Sequence, residues 1–157
     1  MLIYNAIITG ILATAIFDLY QISLSYAYNI SKPKWNLIGR FFYGLIERKF
    51  FRENIEDENV IKNELIIGYF FHYLIGVIFG FLYISINSIF FIEPSLLIAI
   101  LIGFITVLGA WCVLMPFAFN VGFFGSKIEN KYKVLLQNLI AHFIFGNGLF
   151  IGYSIIY

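Results

Sequence analysis

The sequence has few cysteines and few charged residues, and each shortage excludes a class of protein. Cys112 is the single cysteine, which excludes an internal disulfide and any paired-cysteine metal or redox motif. Charged residues make up 12% of the 157 positions, about half the roughly 25% of a typical soluble domain. The net charge of +1 offers no basic surface for nucleic acid.

Catalytic signatures are also missing, and we do not expect the first residues to be a cleavable leader. The chain has no GxSxG, HExxH, Walker A or dinucleotide-binding pattern. We therefore favour a non-enzymatic protein and assign no catalytic residue, metal ligand or cofactor. The first residues lack a basic segment and a small-x-small cleavage site, so we expect them to start a first span.

What is present is mainly apolar, since hydrophobic residues make up 61% of the chain. Four segments nearly free of charge each exceed the roughly 18 residues that indicate a transmembrane helix. We predict an all-α, polytopic membrane protein with one domain, residues 1–157. Its four helices are predicted at about 3–27, 64–86, 95–118 and 134–156. Pro116 should bend or end the third helix.

The basic residues are strongly segregated along the chain. All ten Lys and Arg residues lie between Lys32 and Lys62 or between Lys127 and Lys133. Basic loops remain in the cytoplasm under the positive-inside rule. The pattern predicts that the 28–63 and 119–133 loops are cytoplasmic and that both termini are outside.

The first loop mixes aromatic and basic residues from Trp35 to Phe51, as an interfacial amphipathic helix does. Within it, Arg40 either reaches a lipid phosphate or pairs with Glu64 or Asp18. We therefore expect Trp35, Arg40 and Glu64 to be interfacial or lipid-binding residues. The acidic stretch 53–58 should be the solvated tip of the loop.

Three ionisable residues interrupt the apolar helices: Asp18, His72 and His142. Ionisable groups inside a bilayer usually face a bundle interior or a water path, so we expect one shared polar site. The competing interpretation is that these residues only hold helices together through hydrogen bonds. Asp18, the two histidines and Cys112 could also bind zinc together, and two histidines at similar depth could bind haem.

Glycines at helical spacing accompany these residues and predict close contact between helices. The predicted packing positions are Gly10 on the first helix, Gly68, Gly76 and Gly80 on the second, and Gly146 on the fourth.

Several short patterns span the whole chain. They are Ala13-Thr14 with Asp18, Trp35-x-x-x-Gly39-Arg40, Glu64-x-x-x-Gly68-x-x-x-His72-Tyr73-x-x-Gly76, Gly103-x-x-Thr106-Val107 and His142-x-x-x-Gly146-x-Gly148-Leu149. In these the chain resembles a bacterial family of small inner-membrane proteins, domain of unknown function 2938. Met115 departs from the family pattern, which has Gln before the helix-three proline. The resemblance implies four helices, the bacterial inner membrane and no assigned activity.

Our leading hypothesis is a membrane protein that passes or senses a small solute, ion or proton at the shared polar site. One alternative is a structural or lipid-binding component of a membrane complex, and another is a membrane haem or metal-binding protein. Four helices alone rarely enclose a transport path, so we expect further copies of the chain or other membrane proteins as partners. Membrane lipid is a further expected partner.

Overall fold

The computed structural model describes residues 1–90 and 93–157, and most of these residues are helical. The α-helices in these two ranges are α1 Leu2–Tyr28, α2 Trp35–Ile46, α3 Glu64–Phe90, α4 Leu96–Gly109 and α5 Lys131–Ile156. A π-helical segment, Ala110–Ala118, continues α4, and a 3-10 turn covers Phe123–Gly125. These ranges contain no strand, so the all-α prediction is confirmed.

Within the described residues, four helices are long and apolar enough to cross a membrane, as predicted. They are α1, α3, α5 and the combined helix Leu96–Ala118, with 27, 27, 26 and 23 residues respectively. Large apolar side chains on them, including Phe70, Leu97 and Ile105, are exposed. An apolar exposed surface on several helices is typical of contact with lipid. The chain is a multi-pass membrane protein.

Local sequence explains where the helices begin and end. α1 ends at Asn29, which adopts the left-handed conformation (φ 53°) that commonly terminates helices. Glu64 lies in the first turn of α3, where a carboxylate interacts favourably with the helix dipole. Pro116 lies inside the π-helical segment, and that segment ends at Ala118. The wider π turn carries the helix past a residue that would break a regular α-helix.

The chain divides into two compact units. The first comprises Met1–Lys32, His72–Thr106 and Leu139–Tyr157, and the second comprises Pro33–Phe71 and Val107–Asn138. The predicted organisation as a single domain stays a prediction.

Small residues allow the helices of the first unit to pack closely. A Cβ added at Gly80 on α3 would lie 2.7 Å from the carbonyl oxygen of Ala6 on α1. On α5, a Cβ at Gly146 would lie 2.7 Å from the carbonyl oxygen of Ala99 on α4. Backbones approach this closely only where side chains are absent. α1 therefore packs on α3, and α4 packs on α5.

The second unit is built around a small apolar cluster. Leu37 and Phe41 of α2 pack with Ile55 and Ala118, and all four residues are buried. Ile55 belongs to the stretch that we expected to be fully solvated, and at 2% exposure it contradicts that expectation. Burial of this apolar side chain, together with hydrogen bonds from Arg40 to the carbonyl oxygens of Ile55 and Glu58, holds the loop folded back.

Candidate functional site

A carboxylate and an imidazole meet inside the first unit, where α1 packs against α3. Asp18 Oδ1 lies 3.1 Å from His72 Nε2, and Asp18 Oδ2 accepts a hydrogen bond of 3.1 Å from the Tyr73 hydroxyl. The side chains of Asp18 and His72 are 15% and 14% exposed, respectively. Both oxygens of the carboxylate are thus hydrogen-bonded by consecutive residues of α3.

The glycines beside this pair explain why the two helices meet there. A Cβ at Gly76 would overlap the hydroxyl of Thr14, and a Cβ at Gly10 would overlap the backbone at Val77. Thr14 is fully buried and donates its own hydroxyl to the carbonyl oxygen of Gly10. The absence of side chains at Gly10 and Gly76 brings α1 near enough to α3 for Asp18 to reach His72.

His142 is bound separately, where α4 packs against α5. Its Nδ1 lies 2.7 Å from Thr106 Oγ1, and the same hydroxyl donates to the carbonyl oxygen of Gly103 at 2.6 Å. A Cβ at Gly103 would lie 2.5 Å from the backbone oxygen of His142. The close approach of α4 and α5 at this glycine places the imidazole against the threonine.

Phe17 connects the two histidines. Its ring centroid lies 5.5 Å from that of His72 and 5.6 Å from that of His142, with edge-to-face geometry in both contacts. Phe17 is 7% exposed. The structure therefore brings Asp18 and His72 into direct contact, and His142 adjoins them through an apolar ring.

The positions of the His, Cys, Asp and Glu side chains do not support the metal and haem interpretations. Among residues 1–90 and 93–157, no three His, Cys, Asp or Glu side chains are grouped so that they could hold a metal ion. Haem ligation by His72 through Nε2 would require breaking its contact with Asp18. Cys112 is a free thiol on the π-helical segment of the second unit.

The second unit contains the other predicted polar residues. Arg40 is 4% exposed and pairs with Glu64 at the start of α3, with an Nη2 to Oε2 distance of 2.8 Å. Glu64 also accepts a hydrogen bond of 3.0 Å from the Asn36 amide. Of the partners considered for Arg40, the structure gives Glu64. Trp35 lies on the adjoining turn of α2, where its backbone oxygen would overlap a Cβ at Gly68.

A second arginine, Arg52, is equally buried in this unit and was not singled out from sequence. It pairs with Glu58, and its backbone N–H donates to the carbonyl oxygen of Phe117 at 2.9 Å. A cleft of about 560 Å³ lies beside it. The cleft is lined by both signs of charge and two aromatic rings, with Lys49, Glu47, Glu53, Asp57, Tyr43 and Phe51 among its residues.

Sequence reasoning missed three side chains of the first unit: Phe17, Tyr73 and Thr106. Phe17 and Tyr73 adjoin Asp18 and His72 in the chain, but aromatic residues make up 20% of this sequence, so position alone does not distinguish these two. Thr106 is one polar residue in an otherwise apolar helix α4, and that isolation was a usable signal.

Comparison with known proteins gives a family and no characterised relative. Neither curated proteins nor solved structures give a significant match. A family model described as "Protein of unknown function (DUF2938)" matches residues 7–156, which is nearly the whole chain. The resemblance stated from sequence is confirmed, and this chain belongs to the DUF2938 family.

Proposed function

We propose that this membrane protein binds a proton at the Asp18–His72 pair and either passes it or senses it. The observation that carries the proposal is the 3.1 Å contact between these two side chains on apolar helices. Ionisable groups inside membranes are costly and commonly serve proton relays. Imidazole also changes its charge within the physiological pH range.

The location of the protein and its orientation in the membrane are part of the same proposal. We assign the protein to the bacterial inner membrane with both termini outside and with the 28–63 and 119–133 loops in the cytoplasm. All ten basic residues fall within these loops or at their boundaries, which supports this orientation. The bacterial inner membrane is the location that the resemblance to the family implies.

A structural role is the second candidate, favoured by the tight glycine contacts around the pair. Gly10, Gly76 and Gly80 lie at close backbone contacts between α1 and α3. In that case the Asp18–His72 contact is a hydrogen bond between two helices and needs no exchangeable proton. The two functions differ in whether the carboxyl group titrates while the protein stays folded.

Infrared spectroscopy of the protein in lipid bilayers tests proton binding directly. We expect a carboxylic-acid C=O band to appear as the pH is lowered, because proton uptake converts the Asp18 carboxylate into a carboxylic acid. The band should disappear in Asp18→Asn, and its titration midpoint should move in His72→Gln. Glu93→Gln, at an exposed acid, is the matched control and should keep the band. Identical spectra for wild type and Asp18→Asn would overturn the proposal.

Liposome flux then separates passage from sensing. Vesicles containing the protein and a trapped pH-sensitive dye are given a potassium diffusion potential. Acidification faster than in protein-free vesicles, and lost in Asp18→Asn, indicates passage. Proton binding without such flux indicates sensing.

A further inference from the structure

The hydroxyl of Thr106 determines which nitrogen of His142 carries the proton. A threonine hydroxyl has one proton. The Thr106 Oγ1 atom lies 2.6 Å from the Gly103 carbonyl oxygen and 2.7 Å from His142 Nδ1. A carbonyl oxygen only accepts, and two oxygens at this distance repel each other unless a proton lies between them. The hydroxyl therefore donates to Gly103 and accepts from Nδ1–H. Neutral His142 then has Nε2 as its free base.

The first unit thus contains two sites with ionisable side chains on different helix pairs. Asp18 and His72 lie between α1 and α3, and His142 with Thr106 lies between α4 and α5. The ring of Phe17 contacts both imidazoles and is itself buried. A phenyl ring has no exchangeable proton, and its apolar surface disfavours a water chain.

We propose that Phe17 is a gate between these two groups, an inference that rests on the proposed function. With the ring in place, no proton moves from His72 to His142. When the ring rotates away, water that enters between the two sites accepts a proton from the protonated Asp18–His72 pair and donates another to Nε2 of His142. Water is regenerated, and one proton has moved from the pair to His142.

The position of Phe17 in the chain couples the gate to the pair. Phe17 immediately precedes Asp18 on α1, so the hydrogen bonds that hold Asp18 also hold the backbone that carries the ring. When Asp18 takes up a proton, its oxygens lose the negative charge that attracts the donors of His72 and Tyr73, so this part of α1 gains freedom to move. The gate opens in response to occupancy of the first site.

Proteoliposome flux with three variants tests the gate. We expect Phe17→Ala to raise the initial acidification rate by about tenfold, the effect of a modestly lowered barrier. Phe17→Leu keeps an apolar side chain between the two imidazoles, and its acidification rate should stay close to that of wild type. Phe145→Ala, the same truncation at a residue buried to a similar degree on α5, controls for general loosening. The increase in Phe17→Ala should disappear when Asp18→Asn is added.

The outcomes separate this inference from the proposed function. If wild type passes protons and Phe17→Ala matches it, the gate is wrong and the proton function stands. An increase shared by Phe145→Ala, or retained with Asp18→Asn, also overturns the gate. An infrared spectrum without an Asp18 band overturns the proposed function itself. If Phe17→Ala does not elute as a folded species, Phe17→Val supplies the same comparison with a smaller cavity.

Discussion

Arg40 on α2 and Glu64 at the start of α3 form a buried two-pronged ion pair. Arg40 Nε donates to Glu64 Oε2 at 2.9 Å, and Nη2 donates to Oε1 at 3.1 Å. The remaining nitrogen, Nη1, donates to the carbonyl oxygens of Ile55 and Glu58 at 2.8 and 2.7 Å. One guanidinium thus ties α2, the loop after it and the start of α3 together. This is the planar geometry that arginine provides and lysine does not.

Breaking this ion pair is expected to destabilise the protein strongly. Arg40→Ala leaves Glu64 buried without its counter-ion, and such a change costs about 3–5 kcal/mol. Unfolding in a titration with denaturing detergent, followed by circular dichroism, gives the free energy. Lys34→Ala removes the exposed pair with Glu56 and should change stability by less than about 1 kcal/mol. Equal effects of the two variants would show that burial of Arg40 is unimportant.

Close backbone contact predicts a contrast between two glycines. A Cβ at Gly68 would overlap the carbonyl oxygen of Trp35, whereas a Cβ at Gly109 would have no atom within 4 Å. Gly68→Ala should therefore destabilise by about 1–3 kcal/mol through overpacking. Gly109→Ala should be neutral or stabilising by up to about 1 kcal/mol, because alanine favours the helix. The same detergent titration compares them, and a neutral Gly68→Ala would contradict the described packing of α2 on α3.

The sequence predicted the spans because length and apolarity alone determine whether a helix can cross a bilayer. The pairing of Arg40 with Glu64 was one of the alternatives considered, since a buried arginine needs a counter-charge. Ile55 could not be predicted, because one apolar residue in an acidic stretch has no periodicity to indicate its partner. Phe17 was missed for a related reason: in a chain with 19 phenylalanines, only coordinates show which ring contacts two histidines.

The proposed orientation predicts which engineered cysteines react with a membrane-impermeant maleimide on intact cells. In a Cys112→Ala background, Glu93→Cys should be labelled directly, and Asn59→Cys only after permeabilisation. Both positions are exposed. Asn87 is unsuitable because it is buried and accepts a hydrogen bond of 2.7 Å from the Ser95 backbone N–H. Labelling of Asn59→Cys from outside would invert the orientation.

The tautomer assigned to His142 predicts a nitrogen NMR signature. In labelled protein in bilayers, neutral His142 should have a protonated Nδ1 and an unprotonated Nε2. Thr106→Val removes the hydroxyl that accepts from Nδ1 and should release this preference, whereas Thr106→Ser should keep it. The resonance of His72, whose Nε2 contacts Asp18, serves as the internal reference. A protonated Nε2 in wild-type His142 would contradict the assignment.

We expect the Asp18–His72 pair to contribute little net stability to the helix packing. Interhelical hydrogen bonds in membranes are worth about 0.6 kcal/mol on average and at most about 1.7. An aspartate inside the membrane costs about 2.5–3.5 kcal/mol on insertion scales. One hydrogen bond to His72 and another to Tyr73 therefore do not clearly offset the cost of the carboxyl group. Two apolar side chains in these positions would therefore stabilise the contact between the helices at least as well as the pair does.

A double-mutant cycle with Asp18→Leu and His72→Phe tests this argument. Each single variant should be destabilised by leaving one polar group unpaired, and the double variant should be at least as stable as wild type. The coupling energy comes from the four unfolding free energies in the detergent titration. A double variant as stable as wild type, together with a titrating Asp18 band in wild type, would show that the pair is retained for its proton. A double variant as unstable as either single variant would instead make the pair a structural contact, because the interaction is then lost only once, and the proton proposal would lose its basis.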